Sequence, residues 1–405
     1  MKKLVSLFIV LSLCVGLSAS LVACGGGKSS GFKVGVILIG DRNEGYSYAH
    51  IQGIEAAMEA LDIEESQVIW KYGVTEDEAC EDAARDLAEQ GCDIIFANSF
   101  NFEDYVMAVA EDYPDIIFCH ATGTQAATSG LANLHNYFTY VYESRYISGV
   151  VAGLKLQEMI DDEIITAEEA KIGYVGAFPF AEVISGFTSF FLGVRSIVPE
   201  ATMKVLYTNS WFDPTAEKEA AKTLIENHDC VVISQHADSN GAPAEVQAQS
   251  ENGKHVYSVG YNVSMLDVAP DVALTSAQNN WGVYYTYAID KAMKKEAIDT
   301  DWAAGYAEDA VMVSELGTAC AEGTAAYIQT VINQLKAGTL HVFDTSTWTV
   351  DGATLTEYVI DLTNDFQTNS PDDENAIWGG YFHESELRSA PSFDIIIDGV
   401  TVLID

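Results

Sequence analysis

From residue 32 onward, short apolar runs alternate with longer amphipathic ones. Residues 32–39 are almost continuously hydrophobic, which predicts a strand buried on both faces. Residues 48–61 carry the spacing of a helix. The alternation continues with strand 68–72, helix 76–90 ended by Gly91, strand 93–97, helix 102–112 and strand 116–119. Strands and helices joined by short turns predict a doubly wound parallel sheet. After a helical stretch over about 142–160 the pattern restarts. It gives strand 171–176, helix 182–198, strand 203–207, helix 215–227 opened by Asp213-Pro214, strand 230–234, helix 243–251 and strand 255–259. This second set shares the architecture of the first but not its residues. Residues 273–338 resume strand, helix and helix and are expected to cross back; residues 339–405 have β character.

The expected class is therefore α/β, with two doubly wound lobes. One takes residues 32–140 and 278–335, the other 141–277 and 336–405. Several crossings between lobes leave a cleft facing the carboxyl ends of both sheets, where open parallel sheets bind ligands. Such a cleft can close by a hinge.

The start of the chain has another pattern. Met1-Lys2-Lys3 is basic, and residues 4–17 are uncharged but too few to span a membrane. Leu21-Val22-Ala23-Cys24 resembles a bacterial lipobox. A signal peptide over 1–23, a lipid on Cys24 and a flexible tether over 24–31 are expected. The lipid would hold the protein on the extracytoplasmic face of a bacterial cell membrane, its body in water. Sixty acidic residues against 20 basic ones give a formal charge of −40, which repels phosphate backbones and argues against nucleic acid as a partner. Beyond Cys14 and Cys24, five cysteines remain: Cys80, Cys92, Cys119, Cys230 and Cys320. They make a poor disulfide framework and hold no Cys-x-x-Cys. Cys119 and Cys230 read as buried thiols, and a Cys80–Cys92 bridge is conceivable.

Catalytic motifs are missing. The chain has no phosphate loop, no Gly-x-Gly-x-x-Gly after its first strand, no Gly-x-Ser-x-Gly and no His-Glu-x-x-His. No catalytic residue, cofactor or metal is expected. His120, His236 and His255 end or begin predicted strands and read as polar lining or packing. What gathers at strand ends is aromatic and amide-rich. Asn43, Tyr46 and Ser47 follow the first strand, Asn98 the third and Thr122 the fourth. Phe178, Trp211, Asp238, Asn262 and Asn279 do so in the second half. Aromatic faces with amides and a carboxylate suit a flat, uncharged, hydrogen-bonding ligand.

Certain of these stretches carry a family resemblance. They include Gly45-Tyr46-Ser47-Tyr48, Phe118-Cys119-His120-Ala121-Thr122-Gly123 and the run from Tyr142 to Gly153 that contains Glu143-Ser144-Arg145. Phe178-Pro179-Phe180, Asn209-Ser210-Trp211-Phe212-Asp213, Gln235-His236-Ala237-Asp238-Ser239 and Trp281-Gly282-Val283 complete them. In this order the chain resembles the basic membrane protein family, substrate-binding lipoproteins of purine and nucleoside ABC importers. The resemblance implies two Rossmann-like lobes of a type I periplasmic-binding fold and a purine clamped between aromatics. Tyr46 matches the first-lobe stacking position and Trp211 the second. The Asp of nucleoside-binding members falls on Thr122, and the ribose-gripping Asp and Lys fall near Asn262 and Asn279. Both are amides here, which favours a free base such as adenine over a nucleoside. Asp238 would accept from ring N–H groups, or else cap the following helix. The implied partners are ABC permease and ATPase subunits, with the receptor a monomer. Rival readings are a sugar or signalling-molecule receptor of the same fold, a surface nucleoside hydrolase using His120, His236 and Asp238, and an adhesin without a small ligand.

Overall fold

The computed structural model describes residues 31–362 and 373–403. The expected signal peptide, Cys24 and the tether up to residue 30 lie outside the described residues.

The first lobe opens with β1 (Val34–Ile37), α1 (Gly45–Leu61), β2 (Val68–Lys71), α2 (Glu78–Glu89) and β3 (Ile94–Ala97). It continues through α3 (Glu103–Asp112), β4 (Ile117–Ala121), the short α4 (Ala126–Ser129) and β5 (Leu134–Thr139). Helix α5 (Val141–Asp161) carries the chain into the second lobe. There follow β6 (Lys171–Gly176), α6 (Ala181–Arg195), β7 (Thr202–Tyr207), α7 (Pro214–His228) and β8 (Val232–His236). Next come α8 (Gly241–Glu251), β9 (Tyr257–Tyr261) and β10 (Ala273–Asn279). The chain returns for α9 (Trp281–Lys294) and β11 (Asp301–Ala304), then crosses again to β12 (Val311–Val313) and α10 (Thr324–Lys336). Two small hairpins close the sequence, β13 (Val359–Asp361) with β14 (Asp373–Asn375) and β15 (Ile377–Trp378) with β16 (Tyr381–Phe382), before β17 (Val400–Val402).

Strand order is β11-β5-β4-β3-β1-β2 in the first sheet and β12-β10-β9-β8-β6-β7-β17 in the second. Every pairing in the first sheet is parallel; in the second only β10–β12 is antiparallel. Helices cover both faces, so the strands are enclosed and need no polar alternation. In β1, Val34 and Val36 face one core, while Ile37 faces the other. The second sheet divides likewise, with Ile172 and Tyr174 opposite Val175.

Two expectations are corrected. Residues 134–139, expected as no element, form β5 at the centre of the crossover region. The return segment 278–335 splits: α9 and β11 join the first lobe, but β12 pairs with β10 and α10 puts Ile328, Val331 and Leu335 into the second lobe's core. Three residues of β12 are too few to show a period, and only pairing places them. All five described cysteines are free and no Cys80–Cys92 bridge forms; Cys119 and Cys230 are buried.

The three crossings lie side by side. The Tyr140 amide donates to the Ala304 carbonyl at 2.7 Å, and the Asn280 amide to the Ala310 carbonyl at 2.8 Å. The Thr139 hydroxyl donates to Asn279 Oδ1 between them. Among the described residues no helix is long and apolar enough to cross a membrane.

Candidate functional site: the cleft between the lobes

The loop after β1 is folded around one carboxylate. Glu44 is the N-cap of α1, its oxygens accepting from the Tyr46 amide at 2.5 Å and the Ser47 amide at 2.7 Å. A Cβ on Gly40 would sit 2.7 Å from Glu44 Oε2, so a larger residue there would press on that carboxylate. Asn98, beyond β3, accepts from the Ile39 amide at 3.0 Å and donates to Ser47 Oγ at 3.2 Å. Its carbonyl accepts from the Tyr46 hydroxyl at 2.6 Å. With its ring edge-on to His50 at 4.5 Å, Tyr46 is fixed at both ends. Thr122, just past β4, holds φ at 63°, a left-handed conformation rare for a β-branched residue. The buried Glu103 carboxylate holds the loop that follows, accepting from the amides of Thr124 and Gln125 and from Asn136 Nδ2.

In the second lobe Trp211 packs against Phe178 at 5.5 Å and Phe180 at 6.2 Å. Its carbonyl accepts from the Asp238 amide at 2.7 Å. Asp238 Oδ1 accepts from Asn262 Nδ2 at 2.7 Å. Asp238 therefore does not cap the next helix, whose N-cap is Asn240. Beneath this layer Arg145 is fully buried, its guanidinium 3.6 Å over the Tyr261 ring and Nη1 2.7 Å from the Gln235 carbonyl. The lobes touch across the gap: the Gly45 amide donates to the Asp238 carbonyl at 3.2 Å, and Phe100 stacks on Phe180 at 5.9 Å.

Between these walls lies a cavity of about 340 Å³. Of the expected site residues, Asn43, Tyr46, Thr122, Trp211 and Asp238 line it. Ser47, Asn98, Phe178, Asn262 and Asn279 stand one layer back, holding the lining residues or, for Asn279, the crossing strands. The expected amide-rich wall is thus corrected. Of the expected amides Asn43 alone lines the site and Asn98, Asn262 and Asn279 stand behind it, while Asp41, Glu44, Glu182 and Asp238 put carboxyl groups on its surface. Phe100, Phe212 and Tyr261 also line it. Sequence reasoning missed Glu44 and Glu182 because each reads as an ordinary acid at a helix start. The available signal was position: Glu44 directly precedes Gly45-Tyr46, and Glu182 follows Phe178-Pro179-Phe180 by one residue. Of the three histidines, His120 is buried and bonded to the Ser99 carbonyl at 2.7 Å, and His236 is buried 3.3 Å from Glu182. His255 is exposed in the α8–β9 turn and takes no part in the cleft.

Burial governs the electrostatics. It pushes Glu182 up to about 7, against the opposing pull of Arg145. It also raises Asp238, helped by Glu44, Glu217 and Glu182, and drives His236 well down, helped by Arg145. A carboxyl that keeps its proton can both donate and accept. Glu182 titrates near 4.5 when free, so between about 4.5 and 7 the folded chain holds a proton that the unfolded chain has released. Its contribution to stability is complete below that window and is lost as pH rises through about 7. Glu182→Gln, whose side chain cannot ionise, is expected to gain on the order of 2 kcal/mol over the wild type between pH 5 and pH 8. Urea denaturation at the two pH values reads this; equal differences at both would show that Glu182 is not raised. Among the described residues no group of three metal-ligating side chains is present.

Two α/β lobes hinged by three crossings, with a cleft at the strand ends, define the two-lobe fold of the periplasmic-binding type. A structure of an ABC transporter solute-binding protein from Aeropyrum pernix K1 shares this fold, with a TM-score of 0.66 at 16% identity over 77% of this chain and 93% of that one. The sequence profile of the Bmp family, ABC transporter substrate-binding proteins similar to PnrA, matches residues 32–344. The chain belongs to that family, whose members are extracytoplasmic solute receptors and not enzymes. A purine-binding protein of Brucella abortus is 35% identical over 271 residues, 67% of this chain and 70% of its own length. A Haloferax volcanii protein described as an ABC transporter glucose-binding protein is 38% identical over 269 residues, 64% of this chain and 61% of its own length.

Proposed function

We propose that this protein is the lipid-anchored receptor of an ABC importer and captures a purine, a free base such as adenine or a nucleoside, for delivery to the permease. The observation that carries the reading is that Tyr46 and Trp211, from opposite lobes, line one cavity with Asp238 between their loops. Aromatic faces stack on a planar ring, and a carboxyl that donates and accepts matches the paired donor and acceptor on the edge of adenine. The Brucella relative named for purine binding adds support. Binding energy drives closure to the extent that the closed form holds the ligand better.

Titration calorimetry with adenine, adenosine and hypoxanthine tests the reading. Trp211→Ala is expected to weaken purine binding by at least ~1 kcal/mol, about fivefold. Unchanged affinity removes Trp211 from the site.

A sugar is the second reading. The Haloferax relative favours it, and so do the carboxyl groups on the cleft surface, since carboxylates accept from sugar hydroxyls. Heat on adding glucose, with none on adding purines, decides for the sugar.

A further inference from the structure

The family match ends at residue 344, yet the described residues beyond it, 345–362 and 373–403, are built firmly into the molecule. Trp348, Phe382, Phe393 and Ile397 enter the second lobe's core, and β17 adds a parallel strand beside β7. The Asp398 carboxylate accepts from the Thr349 hydroxyl at 2.6 Å and the Gly352 amide at 2.8 Å. The segment also reaches the first lobe, where the Ser389 amide donates to Asp301 Oδ2 at 2.9 Å. A wall tied to both lobes thus stands beside the cleft.

Between this wall and the cleft is a second cavity of about 460 Å³. It shares Phe100, Thr122, Glu182 and Trp211 with the cleft, so these four residues border both spaces. Its far side is Tyr358, Val359 and Pro391 from the C-terminal segment. We infer that the cleft opens between these four side chains into a C-terminal chamber that receives an uncharged, apolar substituent carried by the ligand's ring. The inference rests on the purine reading for the identity of that ring.

The chemistry of the walls selects the substituent. The Tyr358 hydroxyl is turned to Asp394 at 2.5 Å, leaving its ring as the surface. Arg388 spends donors on the carbonyls of Asp361 at 2.7 Å and Leu362 at 3.1 Å. Phe180 and Val359 present exposed apolar surface. A phosphate tail would meet Glu182, Asp361 and Asp394 along the lining, and burying a like charge there is costly. A flat or branched hydrocarbon group fits instead; a cavity of about 150 Å³ already holds benzene.

The test compares adenine with N6-benzyladenine by calorimetry on the full chain, with glucose and phenyl β-glucoside as a parallel pair. N6-benzyladenine is expected to bind about tenfold more tightly than adenine, because the added ring leaves water. Val359→Trp fills the chamber from its exposed side and is expected to abolish the tenfold gap. Thr124→Trp, from the opposite wall, gives the same reading if the first variant folds poorly. Adenine binding with no benzyl gain, or a gain that survives both variants, overturns the chamber and leaves the purine reading intact. If purines fail to bind, that reading falls, and a phenyl gain on glucoside supports the chamber while its absence overturns it. No binding by any of the four ligands overturns both.

Discussion

Gly193→Ala and Gly149→Ala are each expected to destabilise the protein by about 3 kcal/mol, at the upper end for overpacked cores. Helices α5 and α6 cross with their backbones in contact. A Cβ on Gly193 would stand 2.1 Å from the Tyr146 carbonyl oxygen, and one on Gly149 would stand 2.0 Å from that of Phe190. Main-chain atoms cannot swing away as a flexible side chain does, so the helices must separate. Separation opens gaps among Ile147, Val150, Phe187 and Phe190, all fully buried. The damage reaches the site as well. Helix α5 starts at the crossings and carries Arg145 one turn before Gly149, directly beneath Tyr261. Both variants should therefore lose ligand affinity together with stability. Urea denaturation and calorimetry check this. A loss below ~1 kcal/mol in both variants would mean that the helices slide past each other easily, and that the contact is not what holds the second lobe.

The alternation of buried runs and amphipathic helices was enough to read two parallel-sheet lobes, because enclosed strands advertise themselves as unbroken apolar runs. The reading slipped where burial is polar. Strand β8 ends on Gln235 and His236, both enclosed, so the apolar run expected over 230–234 stops two residues short of the strand's end. Strand β5 went unseen for the same reason. Its His135, Asn136 and Thr139 are buried but spend their polar atoms on Asp299, Glu103, Ala126 and Asn279. A residue satisfied by a partner far along the chain looks like a loop residue until the partner is in place.

The site was legible in part. Tyr46, at the start of the helix after β1, and Trp211, in the loop after β7, are large aromatics and both line the cavity. The amides were legible as residues but not by depth, because a strand-end position does not say whether a side chain faces the gap or braces its neighbour. Of the acids only Asp238 was legible, as the carboxylate of a strand-end cluster; Glu44 and Glu182 were not. Glu44, Glu182 and Asp238 owe their raised protonation to burial that exists only once both lobes meet over them. A composition with 60 acidic residues hides Glu44 and Glu182 well.

Arg145→Met is expected to cost about 3 kcal/mol of stability at pH 8.5 and only about 1 kcal/mol at pH 5.5. A fully buried guanidinium pays a large desolvation penalty that its contacts must offset. The contacts independent of pH are the Tyr261 ring and the Gln235 carbonyl. These are worth about 2 kcal/mol each at best. The remainder is attraction to Glu182 and Asp238, on both of which Arg145 acts to favour ionisation. That attraction exists only while the carboxyls are charged. Burial raises both, Glu182 to about 7, so at pH 5.5 Glu182 is mostly protonated and the cation has little to attract. Removing Arg145 should then cost little, and raising the pH should widen the gap between variant and wild type. Losing the cation also leaves Glu182 holding its proton to higher pH. Denaturation curves at the two pH values measure the gap directly. A gap independent of pH would show that Arg145 acts through packing alone. A variant more stable than the wild type at pH 8.5 would show that desolvation outweighs the acidic pole, and the electrostatic account of the cleft would have to be abandoned.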